Sequence, residues 1–255
     1  MRPRLLSIII PIYNERNTVL TLLKRVYNHK LQNIRKEIVI VESGSTDGTK
    51  NIVKAFAEGK KNVRIIFQAK PRGKGNAVRY GFKYARGDII LIQDADLEYD
   101  VKDYDRLIKP ILDKKASFVL GSRHLTHENT HNWGIRKFHG KERVYAYFMN
   151  FGGLLFHNFF NILYGTKISD PTTMYKVFDK KLLKGLKFEG NYFELDWEIV
   201  AKFVRLGHVP YEIPISYKSR SPKEGKKVRF FRDVPLYIKT IIKTRFPAFG
   251  GREEV

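Results

Sequence analysis

With 255 residues, of which 43% are hydrophobic and 13% aromatic, the chain can bury a sizeable core, which excludes a disordered polycation despite its formal net charge of +22. The excess of 48 Lys and Arg over 26 Asp and Glu favours anionic partners: phosphorylated ligands, nucleic acid or acidic membrane headgroups. The absence of cysteine excludes disulfides, thiolate metal sites and thiol nucleophiles.

In chain order, MRPRLLSIIIPIYNE places basic residues before an apolar segment, as a secretory leader does. The segment is short, lacks a small-residue cleavage site and runs into Pro-x-Tyr-Asn-Glu, so it reads as a first strand and the protein as cytosolic. A Leu- and Val-spaced helix follows over residues 15–29. KEIVIV then precedes STDGTKNIVKAFAEG, NVRIIFQ precedes GKGNAVRYGFKYARG, and DIILIQ precedes VKDYDRLIKPILDKK, with ASFVLGS after it. This alternation predicts an α/β fold with a mostly parallel sheet and helices on both faces. Ligands in such sheets sit beyond the carboxyl ends of the strands. PIYNE, ESGSTDG, AKPRGKG, DADLE and GSRH each follow an apolar run there, so five segments are expected to converge on one crevice.

Residues 143–165, RVYAYFMNFGGLLFHNFFNILYG, approach the length of a membrane span but contain Asn150, His157, Asn158, Asn161 and a Gly-Gly pair. They are expected to form a buried helix or one lying in a membrane interface. After about residue 165 the alternation weakens into ISDPTTMYKVF, a helical ELDWEIVAKFVRLG, a short strand in PYEIPISY and a basic tail.

The acids of QDADLEYD carry the clearest chemistry. In an extended segment Asp94, Asp96 and Glu98 point to one side, where three carboxylates repel one another unless they share a cation. Hard oxygen ligands suit Mg2+ or Mn2+, with coordination positions left for substrate phosphates. Asp100 is expected to cap the next helix. KPRGKGNAVRYG supplies the complement: Gly73 and Gly75 admit close approach, Lys70, Arg72 and Lys74 are cations, and a helix N-terminus favours anions. Ser43, Ser45 and Thr46 are expected to cap a helix, and Glu42 to accept a hydrogen bond from a nucleobase.

Taken together, SIIIPIYNE, IVIVESGSTDGT, GKGNAVRYGFKYARGDIILIQDADLEYD and GSRH resemble the nucleotide-sugar domain of inverting family-2 glycosyltransferases with the GT-A fold, a Rossmann-like mostly parallel sheet flanked by helices. ISDPTTMYKVF and FELDWEIVAKFVRLGHVPYEIPISYKSRSPKEGKK are similar to the subgroup containing dolichyl-phosphate mannose synthase and bacterial polyprenyl-phosphate glycosyltransferases. The resemblance covers the chain to about residue 230. It implies a GT-A domain over 1–230, with a nucleotide-sugar half to about 123 and an acceptor half over 124–230. A basic amphipathic helical extension is expected over 231–255.

Carried over by position, Pro11, Tyr13, Glu15 and Glu42 would hold the base and ribose of a nucleotide diphosphate sugar of the GDP-mannose or UDP-glucose type, beside Gly73 and Lys74. Asp94 would lie near ribose and metal, and Asp96 with Glu98 would complete a Mg2+ or Mn2+ site. Arg123, Arg136 and Arg220 would bind the acceptor phosphate. Asp170 would orient the acceptor or act as base, and a hydroxyl acceptor would make Asp170 or Asp196 the candidate base. The chain departs from the family's usual pattern at Ser43, where a second acid is common, and at Met174, Tyr175 and Lys176, where Gly-Phe-Arg is common.

Residues 218–232 hold seven basic residues against Glu224, and VPLYIKTIIKTRF mixes apolar residues with Lys239, Lys243 and Arg245. This reads as an anionic-membrane anchor, each basic residue contributing on the order of 1 kcal/mol. The leading expectation is therefore a metal-dependent polyprenyl-phosphate glycosyltransferase, peripheral at the cytoplasmic membrane face, with a membrane partner subunit left open. The alternatives are a family-2 transferase acting on a hydroxyl and a non-catalytic binding module for anionic membrane or nucleic acid. Nucleic acid is disfavoured because no recognition module accompanies the basic aromatics.

Overall fold

The computed structural model describes residues 4–126, 142–220 and 230–246. A single seven-stranded sheet organises them, comprising β1 (Leu5–Ile12), β2 (Arg35–Glu42), β3 (Val63–Phe67), β4 (Ile89–Ile92), β5 (Phe118–Ser122), β6 (Lys176–Asp179) and β7 (Tyr211–Pro214). Their order across the sheet is β3-β2-β1-β4-β6-β5-β7, and only β6 runs against its neighbours. The apolar runs of β1, β4 and β5 are buried almost throughout because helices cover both faces.

The helices are α1 (Val19–Asn28), α2 (Thr49–Ala57), α3 (Lys74–Tyr84), α4 (Tyr104–Leu112), α5 (Glu142–Tyr164), α6 (Glu194–Arg205) and α7 (Phe230–Arg245). α1 buries Val19, Leu22, Leu23 and Val26, and α4 buries Tyr104, Leu107, Ile108 and Ile111, each at the spacing that makes one apolar stripe on a 3.6-residue helix. α3 lies close on β1 because Gly81 has no side chain; a Cβ there would stand 2.3 Å from Cγ2 of Ile9.

Topology places the site. From β1 the chain steps outward through β2 and β3, then returns to put β4 on the other flank of β1. The crevice beyond the carboxyl ends of β1 and β4 is thus the point where strand order reverses. β6 enters between β4 and β5, so the C-terminal half contributes a strand to the middle of the sheet.

The long apolar segment is neither fully buried nor a span: among the described residues no helix is long and apolar enough to cross a membrane. α5 instead carries two stripes. Met149, Gly152, Gly153 and Phe156 face a cavity, while Val144, Tyr147, Phe151, Leu155, Phe159 and Ile162 are exposed. α7 packs against α6 and α5, with the Tyr164 hydroxyl donating to the Ile241 carbonyl at 2.8 Å and Phe156 meeting Tyr237 edge to face.

Candidate active site

Past the end of β4 the chain turns sharply. Leu97 adopts a left-handed backbone (φ 63), so the segment is a turn rather than the extended strand expected. The three carboxylates still converge, because buried Gln93 fastens the turn. Its Oε1 accepts from the hydroxyls of Tyr104 (2.7 Å) and Tyr175 (2.8 Å), and its Nε2 donates to the Asp94 carbonyl (2.8 Å). Asp100 caps the following helical turn as expected, accepting from the Lys102 amide at 3.0 Å.

Cations meet the acids directly. Lys74 donates to Asp94 at 2.8 Å, and Nη2 of Arg220 donates to Asp96 at 2.9 Å. The same guanidinium lies 3.4 Å from Glu15 and 3.6 Å from Glu98. Glu98 is held from the same segment, its carboxylate accepting from the Tyr217 hydroxyl at 2.6 Å and the Arg220 amide at 2.8 Å. Burial, then the charges of Asp94 and Glu98, push the Asp96 carboxyl up to about 7 even though Arg220 pulls it down. Burial works to lower the Lys74 ammonium, but Asp94 and then Asp196 outweigh it and hold the group above its ordinary range.

Oxygen ligands of this kind suit a hard divalent cation, although among the described residues it is His124, His157 and Asp170, and not these acids, whose ligand atoms come within 4.8 Å of one another as a set of three. Burial, then the charges of Asp94 and Glu98, raise the Asp96 carboxyl, and the Arg220 guanidinium stands in among the acids as their cation. That stand-in is imperfect: buried Nε of Arg220 has no hydrogen-bond partner among the described residues.

The cavity around these groups has a volume of roughly 750 Å³, ample for a small-molecule ligand. Pro11, Tyr13, Glu15, Gly73, Lys74, Asp94, Asp96, Glu98, Arg123 and Arg220 all line it. Gly73, at φ 96, sits where a Cβ would stand 2.2 Å from the Asn191 carbonyl oxygen, which explains the glycine at the mouth of α3.

Several expectations are met differently. Glu42 is fully buried and does not appear on the cavity wall; its carboxylate accepts from the amides of Ser45 (2.7 Å) and Gly44 (3.3 Å), so it shapes its own loop, and Ser43 lines the cavity instead. Ser45 and Thr49 hydroxyls accept from the amides of Asn14 and Glu15, both at 3.0 Å, tying the loop after β1 to the loop after β2 rather than capping α2. Arg136 lies outside the described residues.

Asp170 is fully buried and makes a two-pronged pair with Arg123, whose Nε and Nη2 each donate at 2.7 Å, while the Arg123 amide adds a third bond at 3.0 Å. Burial alone would raise this carboxyl; the guanidinium outweighs it and holds Asp170 far below the usual carboxylate range. Such a group orients Arg123 and makes a poor base. Asp196 does line the cavity, 3.4 Å from the buried ammonium of Lys176, which burial lowers.

Residues that sequence reasoning did not single out complete the walls. Tyr217 bridges the two halves, bonded to Glu98 and lying under the Arg123 guanidinium at 5.2 Å. Arg232 stacks on Tyr192 at 4.1 Å, and Phe156, Trp197 and Tyr237 add apolar lining from α5, α6 and α7, with His157 edge to face against Trp197. The spacing of Met149, Gly152, Gly153 and Phe156 was the readable signal for the α5 wall.

The chain is 28% identical over 225 residues to a dolichol-phosphate mannosyltransferase of Pyrococcus furiosus, covering 87% of this chain and 60% of that protein. It is 34% identical over 146 residues to a dolichyl-phosphate beta-glucosyltransferase of Trichomonas vaginalis, covering 52% of this chain and 45% of that one. The chain thus spans about half of the length of the curated relatives it matches. Among solved structures it resembles glucosyl-3-phosphoglycerate synthase of Mycobacterium tuberculosis in complex with Mn2+, UDP and glucosyl-3-phosphoglycerate, with a TM-score of 0.66 at 19% identity over 94% of this chain and 80% of that one. That likeness bears out the GT-A fold. The sequence model for glycosyl transferase family 2 matches residues 7–186, from the first strand through the carboxylate turn and past β6, and the chain belongs to that family.

Proposed function

We propose that this protein moves a hexose from a nucleoside diphosphate sugar to a polyprenyl phosphate at a membrane surface, with inversion at the anomeric carbon. The observation that carries the reading is the mixed lining of one cavity: carboxylates with Lys74, the guanidiniums of Arg123 and Arg220, and the apolar side chains of Phe156, Trp197 and Tyr237. A donor diphosphate, an acceptor anion and an apolar tail match those three kinds of lining.

Asp94, Asp96 and Glu98 would hold Mg2+ or Mn2+, which when bound offsets the charge that develops on the leaving nucleoside diphosphate. Lys74 adds a fixed cation beside Asp94. Pro11, Tyr13, Glu15 and Ser43 wall the region assigned to base and ribose. Arg123, held by Asp170, presents a rigid guanidinium to the acceptor, and Arg220 is the second acceptor cation. A phosphate monoester is already ionised near neutral pH, so its oxygen needs positioning rather than a base. The commitment of Asp170 to Arg123 favours this acceptor over a hydroxyl, for which Asp196 would be the remaining base.

Membrane access is supported by the exposed apolar stripe of α5 and by Ile238, Ile242 and Phe246 of the adjoining α7 segment, interleaved with Lys239 and Arg245. Labelled sugar from UDP and GDP donors, offered to a short prenyl phosphate with Mn2+ or Mg2+, tests the reading. Metal-dependent lipid product that disappears in Asp96→Ala is expected. Transfer to soluble hydroxyl acceptors but never to the lipid phosphate refutes it.

A further inference from the structure

Two buried histidines lie on the acceptor side without a role in the mechanism above. His124 follows Arg123 past the end of β5, His157 projects from α5, and each is 5% exposed. Their rings meet edge to face at 5.2 Å, and ligand atoms of His124, His157 and Asp170 all lie within 4.8 Å of one another.

Such a trio has the composition of a metal centre, but its charges do not suit one. The Asp170 carboxylate is already neutralised by the two-pronged pair with Arg123, so a divalent ion would have to settle beside a guanidinium on the same two oxygens. The hydrogen bonds point elsewhere. The Thr172 hydroxyl donates to Asp170 Oδ1 at 3.3 Å and accepts from Arg123 Nη2 at 2.9 Å. The same hydroxyl meets Nε2 of His157 at 3.3 Å, a contact in which the imidazole donates when Nε2 carries the hydrogen. The imidazole of His157 and the guanidinium of Arg123 thus converge on one hydroxyl, and Arg123, His157 and Thr172 all line the cavity. Trp197, edge to face with His157 at 5.9 Å on the same wall, has a buried indole N–H without an acceptor among the described residues.

We infer that His157 binds the acceptor's anionic head, its Nε2–H donating beside Arg123 to a non-attacking phosphate oxygen, with Thr172 holding the pair of donors in register until the anion arrives. His124 packs behind His157 and fixes its ring. The inference rests on the lipid-phosphate reading and adds a specific donor to it.

The test uses the full chain with Mn2+, a donor that the wild type accepts and a short prenyl phosphate, comparing His157→Leu with His157→Gln, whose amide N–H reaches about as far as Nε2. The leucine variant is expected to raise the KM for the prenyl phosphate about ten- to a hundredfold, the range for a hydrogen bond to a charged group, while the KM for the donor and the melting temperature stay unchanged. Glutamine is expected to restore most of the affinity. An acceptor KM within twofold of wild type in the folded leucine variant overturns the inference alone. So does an equal rise in donor and acceptor KM in both variants, which marks a structural role. One equivalent of zinc bound to the wild type and absent from His157→Leu would overturn it in favour of a metal centre. Wild-type transfer confined to hydroxyl acceptors would remove the acceptor reading and the inference together.

Discussion

On the proposed reading, protonation of Asp96 would link metal affinity to pH. Its carboxyl is raised from 3.8 to about 7 by burial and by Asp94 and Glu98. A cation binding there must displace that proton whenever the pH is below about 7. Between pH 8 and pH 5.5 the affinity for Mn2+ should therefore fall about 30-fold, or about 2 kcal/mol, and it should level off above pH 7. Folding stability carries the same signature with a definite sign. The folded state binds this proton more tightly than the unfolded chain does, so the contribution is fully present below about pH 4, is lost as the pH rises to 7, and is constant above. The contribution over that window is on the order of a few kcal/mol. Isothermal titration with Mn2+ at several pH values, and urea unfolding of metal-free protein from pH 4.5 to 8, measure both. Asp96→Asn should abolish Mn2+ binding and flatten the pH dependence of stability relative to wild type. Parallel stability curves for the two proteins, or an Mn2+ affinity that does not change between pH 5.5 and 7, would refute the account of this carboxylate cluster.

Other expectations concern separate parts of the molecule. Arg123→Leu leaves the buried Asp170 carboxylate uncompensated and should destabilise the fold by about 3–5 kcal/mol in urea unfolding at pH 7. Because Asp170 is held below its ordinary range, the stability from this pair should persist above about pH 4 and fade only on acidification below it. Gly75→Ala would put a Cβ 2.6 Å from the Tyr192 carbonyl and 2.7 Å from that of Gly190, forcing backbone to shift; a loss of about 1–3 kcal/mol and weakened donor binding are expected by thermal melting and titration. Lys74→Met should weaken nucleoside diphosphate binding at least tenfold while leaving acceptor affinity within twofold, measured by competition with a labelled nucleotide. Serine at Phe151, Leu155 and Ile162 together should reduce flotation with anionic vesicles at least tenfold without changing the melting temperature, since all three side chains are exposed.

The parallel part of the sheet was legible because strands buried on both faces must be continuous apolar runs, and β1, β2, β4 and β5 are. β6 was not: four residues beginning with Lys176 give no periodic signal, and its antiparallel place between β4 and β5 follows from tertiary packing. At the site, charge and glycine marked the carboxylates, Lys74 and Gly73 from a distance. Glu42 is buried and engaged by its own loop, its carboxylate accepting from two amides at 2.7 and 3.3 Å, a local demand that the sequence pattern does not display. The contribution of His157 was hidden for a different reason. A polar residue in an apolar helix argues against a membrane span, but which neighbour it meets depends on Thr172, fifteen residues away in a loop.

The central position of β6 has a consequence for the order in which the protein is made. β4 pairs with β1 on one side, but its other edge stays open until residues 176–179 have been synthesised, 84 residues beyond its own end, and β5 waits for the same strand. An emerging chain that has completed the donor-side motifs therefore carries two unpaired strand edges near its middle, so closure of the sheet is a late, long-range step. Truncation before residue 176 should yield an aggregating fragment rather than an isolated nucleotide-binding half.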